Sequence, residues 1–106
     1  MKVSLSVLNV DYMNAYENLK DILDLVDYVH LDVMDGEFVP NISFGPDFVK
    51  SLKKVSKRPF DTHLMIMHPQ NYIDKFVDAG SDYITFHVEA DCKPMEVIKQ
   101  IKAHNI

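Results

Sequence analysis

Apolar and polar residues alternate in four short segments of the chain, a pattern typical of β-strands that bury one face. These segments are rich in β-branched and aromatic residues and comprise Val3–Leu8, Asp27–Met34, Phe60–Ile66 and Asp82–Glu89. Between and after them, apolar residues recur every three or four positions, which predicts helices. The predicted helices are Asn14–Val26, Pro46–Val55, Pro69–Gly80 and a fourth that begins near Pro94.

This order of elements predicts a parallel sheet. Strands that alternate with helices of such length are joined by right-handed crossovers, which make neighbouring strands parallel. The chain has 106 residues, and no Pro-, Gly- or Ser-rich linker divides it. We therefore expect residues 1–106 to form a single α/β domain of four βα units.

The two faces of the predicted strands differ in polarity, which favours one α/β architecture over another. In the second strand, His30, Asp32 and Met34 share one face, and aliphatic residues share the other. A doubly wound sheet is covered by helices on both sides and is apolar on both. A barrel instead turns one face toward its axis, where functional side chains collect near the carboxyl ends of the strands. The pattern therefore favours a sheet with the curvature of a (β/α) barrel.

Three residues on the polar face form a candidate metal site. His30 and Asp32 project together from the second strand, and His63 lies on the same face of the third. Two imidazoles and a carboxylate are suitable ligands for a divalent ion such as zinc, iron(II), manganese or cobalt. The alternative is that the three groups satisfy one another by hydrogen bonds within a polar barrel interior. A second pair, His87 and Glu89, either takes part in acid–base chemistry or lines the pocket.

Composition limits the partners that we expect. The formal net charge is −5 and no basic patch stands out, so we expect no nucleic-acid partner. No apolar run is long enough to span a membrane, so we expect no membrane association. Cys92 is the single cysteine, which indicates a reducing, cytoplasmic compartment.

Four segments of the chain resemble ribulose-phosphate 3-epimerases in order and spacing. They read LSVLNVDY, VHLDVMDGEFVPNISFGP, FDTHLMIMHPQNYI and AGSDYITFHVEA, and together they extend over essentially the whole chain. The resemblance implies a (β/α)8 TIM barrel that interconverts D-ribulose 5-phosphate and D-xylulose 5-phosphate, a reaction of the pentose phosphate pathway. It also implies two-base proton transfer through an enediolate, with one divalent metal ion held by two histidines and two aspartates. Allulose 6-phosphate 3-epimerase shares these motifs, so a hexulose phosphate substrate stays open.

The resemblance assigns roles to individual residues. His30, Asp32 and His63 match metal ligands, and Asp32 also matches one of the two acid–base aspartates. The residues that match substrate contacts are Ser6, Met34, His63 and Met65.

The length of the chain is the main departure from this family. A complete (β/α)8 barrel needs about 200–250 residues, so the resemblance implies the N-terminal half of one. In the family, the second acid–base aspartate and the phosphate-binding loops come later in the chain. We therefore expect the 106-residue chain alone to be inactive or nearly so. Because a four-stranded sheet exposes two edges, we also expect a homo-oligomer. The alternative is a non-catalytic half-barrel module that associates with itself and at most binds metal.

Overall fold

The computed structural model describes residues 1–106, and strands and helices alternate along it as predicted. The strands are β1 (Ser4–Ser6), β2 (Tyr28–Met34), β3 (Phe60–Met65) and β4 (Tyr83–Phe86). The helices are α1 (Ala15–Leu23), α2 (Pro46–Lys53), α3 (Ile73–Ala79) and α4 (Pro94–Ala103), with short 3-10 turns at Tyr12–Asn14 and Pro69–Asn71. The strands form one parallel sheet in the order β1-β2-β3-β4. The predicted fold class, four βα units of the TIM-barrel type, is confirmed.

The hydrophobic core lies on one side of this sheet. Burial alternates along β2 and β3, and the buried residues are those of the aliphatic face, apart from Thr62. Sixteen buried side chains from strands and helices form one cluster, which includes Leu31, Leu64 and Phe76. The opposite face carries the half-buried polar residues of the strands. The predicted division of β2 and β3 into an aliphatic and a polar face is therefore confirmed.

Local sequence determines where the helices begin and end. Proline occupies the first turn of α2 and α4, where the missing N–H has no helical partner to lose. Gly80 ends α3 with a φ of 109°, in the left-handed region that glycine tolerates. A Cβ at this position would also lie 2.7 Å from Lys53 Cγ, so the close approach of α2 favours glycine as well.

Several predicted boundaries were wrong, and the error at β4 matters for the site. The predicted strands Val3–Leu8 and Asp82–Glu89 shorten to Ser4–Ser6 and Tyr83–Phe86. At β4 the chain turns because the Ala90 N–H donates to the His87 carbonyl oxygen at 3.2 Å. His87 and Glu89 therefore lie in the loop after β4 and not on the strand. None of the four helices has the length and hydropathy that a membrane crossing requires.

Candidate metal centre

The register between β2 and β3 brings the predicted site residues together. Asp32 pairs with His63, and His30 pairs with Asp61. The sequence order is His-x-Asp in β2 and Asp-x-His in β3, so each imidazole lies opposite a carboxylate. All four side chains belong to the half-buried face of the sheet.

Asp32 lies at the centre of this group. Its Oδ1 atom is 3.2 Å from His30 Nε2 and 3.3 Å from His63 Nδ1. One ligand atom from each of the three residues can be chosen so that all lie within 4.8 Å of one another. The Asp32 side chain is only 16% exposed, which reduces competition from water. The other oxygen, Oδ2, accepts a hydrogen bond from the Ser6 hydroxyl at 3.0 Å.

A serine in the β2–α2 loop fixes the strand backbone at this position. The Ser43 hydroxyl donates to the Asp32 carbonyl oxygen at 2.6 Å and accepts from the Met34 N–H at 3.0 Å. The sequence alone did not indicate this role, because Ser43 lies 11 residues from Asp32 along the chain. The loop therefore folds back on the strand whose side chains form the site.

Asp35 holds the same loop at its other end. Its Oδ1 accepts from the N–H groups of Glu37 and Phe38, both at 2.9 Å, and its Oδ2 accepts from the Met67 N–H at 2.7 Å. Burial raises the pKa of Asp35, but these backbone hydrogen bonds outweigh it and leave the pKa below its ordinary value. Asp35 is therefore a structural carboxylate that ties the ends of β2 and β3 together.

The predicted substrate-contact residues lie on the same face as Asp32. Met34 and Met65 are partners in the parallel register, two residues beyond the Asp32–His63 pair. Met34 Sδ accepts from Asn41 Nδ2 at 3.6 Å, which connects it to the loop. Ser6 contacts Asp32 as described, and His63 contacts it from β3. These placements leave each side chain beside the candidate metal ligands.

Two residues outside the predicted ligand set contact the histidines. Asp61 Oδ2 lies 3.0 Å from His30 Nδ1, and His87 Nε2 lies 2.7 Å from His63 Nε2. The rings of His63 and His87 stack with centroids 4.9 Å apart. Asp61 and His63 form an Asp-x-His pair that is visible in the sequence. The contact between Asp61 and His30, however, depends on the strand register. His87 was weighed as a pocket residue, and its contact with His63 arises from the turn after β4.

The donor set fits a divalent cation of intermediate hardness. Two imidazole nitrogens and a carboxylate oxygen converge from adjacent strands, a combination that suits zinc, iron(II), manganese or cobalt. Cys92 is not part of the converging set, which comprises His30, Asp32 and His63. The Glu89 side chain is 73% exposed, and its Oε2 lies 3.9 Å from His87 Nδ1, so Glu89 is not part of the converging set of ligand atoms.

Fold and site together define a parallel βα protein of the TIM-barrel type with its polar residues near the carboxyl ends of the strands. Residues 2–106 match the family model described as the Ribulose-phosphate 3 epimerase family. The chain belongs to this family.

Relatives that match this chain carry the corresponding name. The ribulose-phosphate 3-epimerase of Eremothecium gossypii is 40% identical over 95% of this chain and 47% of its own length. The chloroplastic ribulose-5-phosphate-3-epimerase of Arabidopsis thaliana is 42% identical over 82% of this chain and 31% of its own. The cytoplasmic isoform of Oryza sativa subsp. japonica is 36% identical over 96% of this chain and 46% of its own. The chain spans less than half the length of each of these relatives.

Proposed function

We propose that the chain provides the metal-binding and first acid–base half of a ribulose-phosphate 3-epimerase. The observation that carries this proposal is the position of Asp32 Oδ1, at 3.2 and 3.3 Å from imidazole nitrogens of two adjacent strands. The substrate pair is D-ribulose 5-phosphate and D-xylulose 5-phosphate, as the names of the relatives suggest. Allulose 6-phosphate is the alternative substrate, because the allulose 6-phosphate 3-epimerases share the motifs of this chain.

The residues present account for one side of the reaction. Asp32 is the base that removes the proton from C3 of the ketose phosphate, and as the acid it returns one to the same face. A bound divalent cation would supply Lewis-acid stabilisation of the negative charge that develops on the substrate oxygens. His30, Asp32 and His63 would hold that cation. Met34 and Met65 form an adaptable apolar boundary beside the reacting carbon.

Epimerisation also requires a proton donor on the opposite face of the substrate. Three other carboxylates of the chain were considered for this role. Asp61 contacts His30, and Asp35 accepts hydrogen bonds from backbone N–H groups. The side chain of Glu89 is mostly exposed. The resemblance assigns the second acid–base aspartate to a later strand than the four described here. The 106 residues by themselves therefore exchange the C3 proton at most and do not invert the centre.

Deuterium exchange tests this proposal on the chain as it exists. D-ribulose 5-phosphate is incubated with the chain and Zn²⁺ in D₂O, and the C3 proton is followed by NMR. We expect the C3 signal to decay with no formation of D-xylulose 5-phosphate, and we expect Asp32→Asn to exchange no faster than buffer with Zn²⁺. Equal exchange by the wild-type chain and Asp32→Asn would refute the role of Asp32. Inversion by the pure chain would refute the one-sided site.

We also propose that the chain associates with a second copy of itself. The outer edge of β4 borders a cavity of about 490 Å³ lined by residues such as Tyr83, Phe86 and Ile98. The other outer strand, β1, begins beside the exposed Val3. Unpaired strand edges with adjacent apolar groups favour pairing with a second chain. A second copy is thus the partner we propose, in addition to the sugar phosphate.

The cytoplasm is the compartment we propose. A single cysteine suits a reducing environment, and one relative is named a cytoplasmic isoform. Another relative is named chloroplastic, so fluorescence imaging of the tagged protein in its own cells is the deciding measurement.

A further inference from the structure

His30 lies between two carboxylates, which raises the question of where its ring proton resides. Nδ1 is 3.0 Å from Asp61 Oδ2, and Nε2 is 3.2 Å from Asp32 Oδ1. A neutral imidazole has one N–H and can donate to only one of these acceptors. The contact with Asp61 is the shorter. Donation to Asp61 leaves the Nε2 lone pair directed toward Asp32.

His63 is held in the same manner but through the other nitrogen. Its Nε2 lies 2.7 Å from His87 Nε2, a short contact that requires one proton between the two rings. Its Nδ1 lies 3.3 Å from Asp32 Oδ1, beyond the usual range for an N–H···O hydrogen bond. If His63 donates to His87, its Nδ1 lone pair also faces Asp32. His87 Nδ1 then lies on the side of Glu89, 3.9 Å from Oε2.

We infer that Asp61 and His87 are positioning residues that select the ligand nitrogens of the site, Nε2 of His30 and Nδ1 of His63. Both partners contact the imidazole nitrogen remote from Asp32, so neither competes for the cation. Three lone pairs, from His30 Nε2, His63 Nδ1 and Asp32 Oδ1, then converge without a proton between them. Without a cation the three lone pairs repel one another, whereas a bound cation would attract all three. This arrangement also opposes the alternative in which the three groups only hydrogen-bond one another.

The position of Asp61 separates its role from that of a ligand. Its carboxylate contacts Nδ1 of His30, on the side of the ring away from Asp32. The ligand atoms that lie within 4.8 Å of one another come only from His30, Asp32 and His63. A carboxylate that accepts the remote N–H of a metal-binding histidine fixes the ring orientation and raises ligand basicity. Removing such a partner typically weakens metal affinity by about 10–100-fold.

This inference rests on the proposed metal site, and the test distinguishes failure of the inference from failure of the metal site. Long-range ¹H–¹⁵N NMR of the Zn²⁺-loaded chain reports which ring nitrogen keeps its proton. We expect His30 to retain Nδ1–H and His63 to retain Nε2–H. A proton on the opposite nitrogen of either ring would overturn the inference while leaving metal binding intact. A chain that binds no Zn²⁺ at all would instead overturn the proposed function and, with it, this inference.

Co²⁺ titrations followed by visible absorption provide the second readout. We expect Asp61→Ala to weaken Co²⁺ binding about 10–100-fold and Asp61→Asn to weaken it less, because the amide oxygen still accepts from His30 Nδ1–H. Asp21→Ala is the control, since Asp21 is exposed on α1. Circular dichroism identifies a variant that has lost its fold, and Asp61→Asn then remains as the conservative test. Equal affinity in all four proteins would refute a positioning role for Asp61.

Discussion

The carboxylate of Asp35, at the end of β2, accepts a hydrogen bond from the Met67 N–H, just beyond the end of β3, at 2.7 Å. The same carboxylate closes the turn that follows β2 through two further N–H groups. The carboxyl ends of the two strands that carry the candidate metal ligands are therefore tied by one side chain. The geometry of the site depends on this connection.

We predict that Asp35→Asn lowers the free energy of unfolding by about 1–3 kcal/mol, the usual cost of a lost charged hydrogen bond with an unpaired buried donor. An amide has one acceptor oxygen, so its NH₂ group would face a backbone N–H. Urea unfolding monitored by circular dichroism measures the difference. Asp21→Asn, on an exposed position of α1, is the control and should leave the stability unchanged.

The same residue predicts a pH dependence of stability. Because the pKa of Asp35 is lowered in the folded chain, its contribution is complete above the pKa of the unfolded state, about 3.9. The contribution is lost as the pH falls through the folded pKa. Unfolding experiments from neutral pH to below the unfolded-state pKa should therefore show a smaller acid destabilisation in Asp35→Asn than in the wild-type chain. Parallel pH profiles would contradict this explanation.

Ser43 gives a second test of how the loop supports the site. Ser43→Ala removes the hydrogen bonds to the Asp32 carbonyl and from the Met34 N–H. We expect a loss of about 1–2 kcal/mol in stability and weaker Zn²⁺ binding. Ser43→Thr keeps the hydroxyl and should retain most of both. If Ser43→Ala binds Zn²⁺ as tightly as the wild-type chain, the backbone of Asp32 does not depend on this loop.

Self-association should depend on concentration and on the apolar edge at α4. Sedimentation velocity of the 12.2 kDa chain is expected to show dimers or larger species as the concentration rises. Ile98→Lys places a charge in the cavity beside β4 and should shift the equilibrium toward monomer. Met95→Lys, on the same helix but outside the lining of this cavity, is the matched control. A monomer at every concentration would contradict the proposed homo-oligomer.

The faces of the strands could be predicted from the sequence because alternation with a period of two is a local property. His30, Asp32 and Met34 alternate with Val29, Leu31 and Val33, and the structure places the two sets on opposite faces. Helix boundaries were predicted well where a local signal marks them, as Pro46, Pro94 and Gly80 do. The predicted helix Asn14–Val26 ended too late, at Val26 and not at Leu23, and the predicted start at Pro69 is a 3-10 turn, with α3 beginning at Ile73.

Register and termination could not be predicted, because both depend on contacts between distant segments. That His30 faces Asp61, and not another residue of the third strand, depends on how β2 and β3 align. The end of β4 depends on the turn at His87. Because of this turn, His87 contacts His63 and Glu89 lies outside the strand. The sequence therefore indicated the two histidines, but it did not indicate that Asp61 and His87 would be their partners.

Isothermal calorimetry with Zn²⁺ measures directly whether His30, Asp32 and His63 form a metal site. We expect one ion per chain for the wild type, and loss of that binding in Asp32→Ala and His63→Ala when circular dichroism shows that both variants are folded. Asp21→Ala should bind as the wild type does. A folded wild-type chain that binds no Zn²⁺, Co²⁺ or Mn²⁺, or Asp32→Ala that binds as tightly as the wild type, would contradict the proposed metal site.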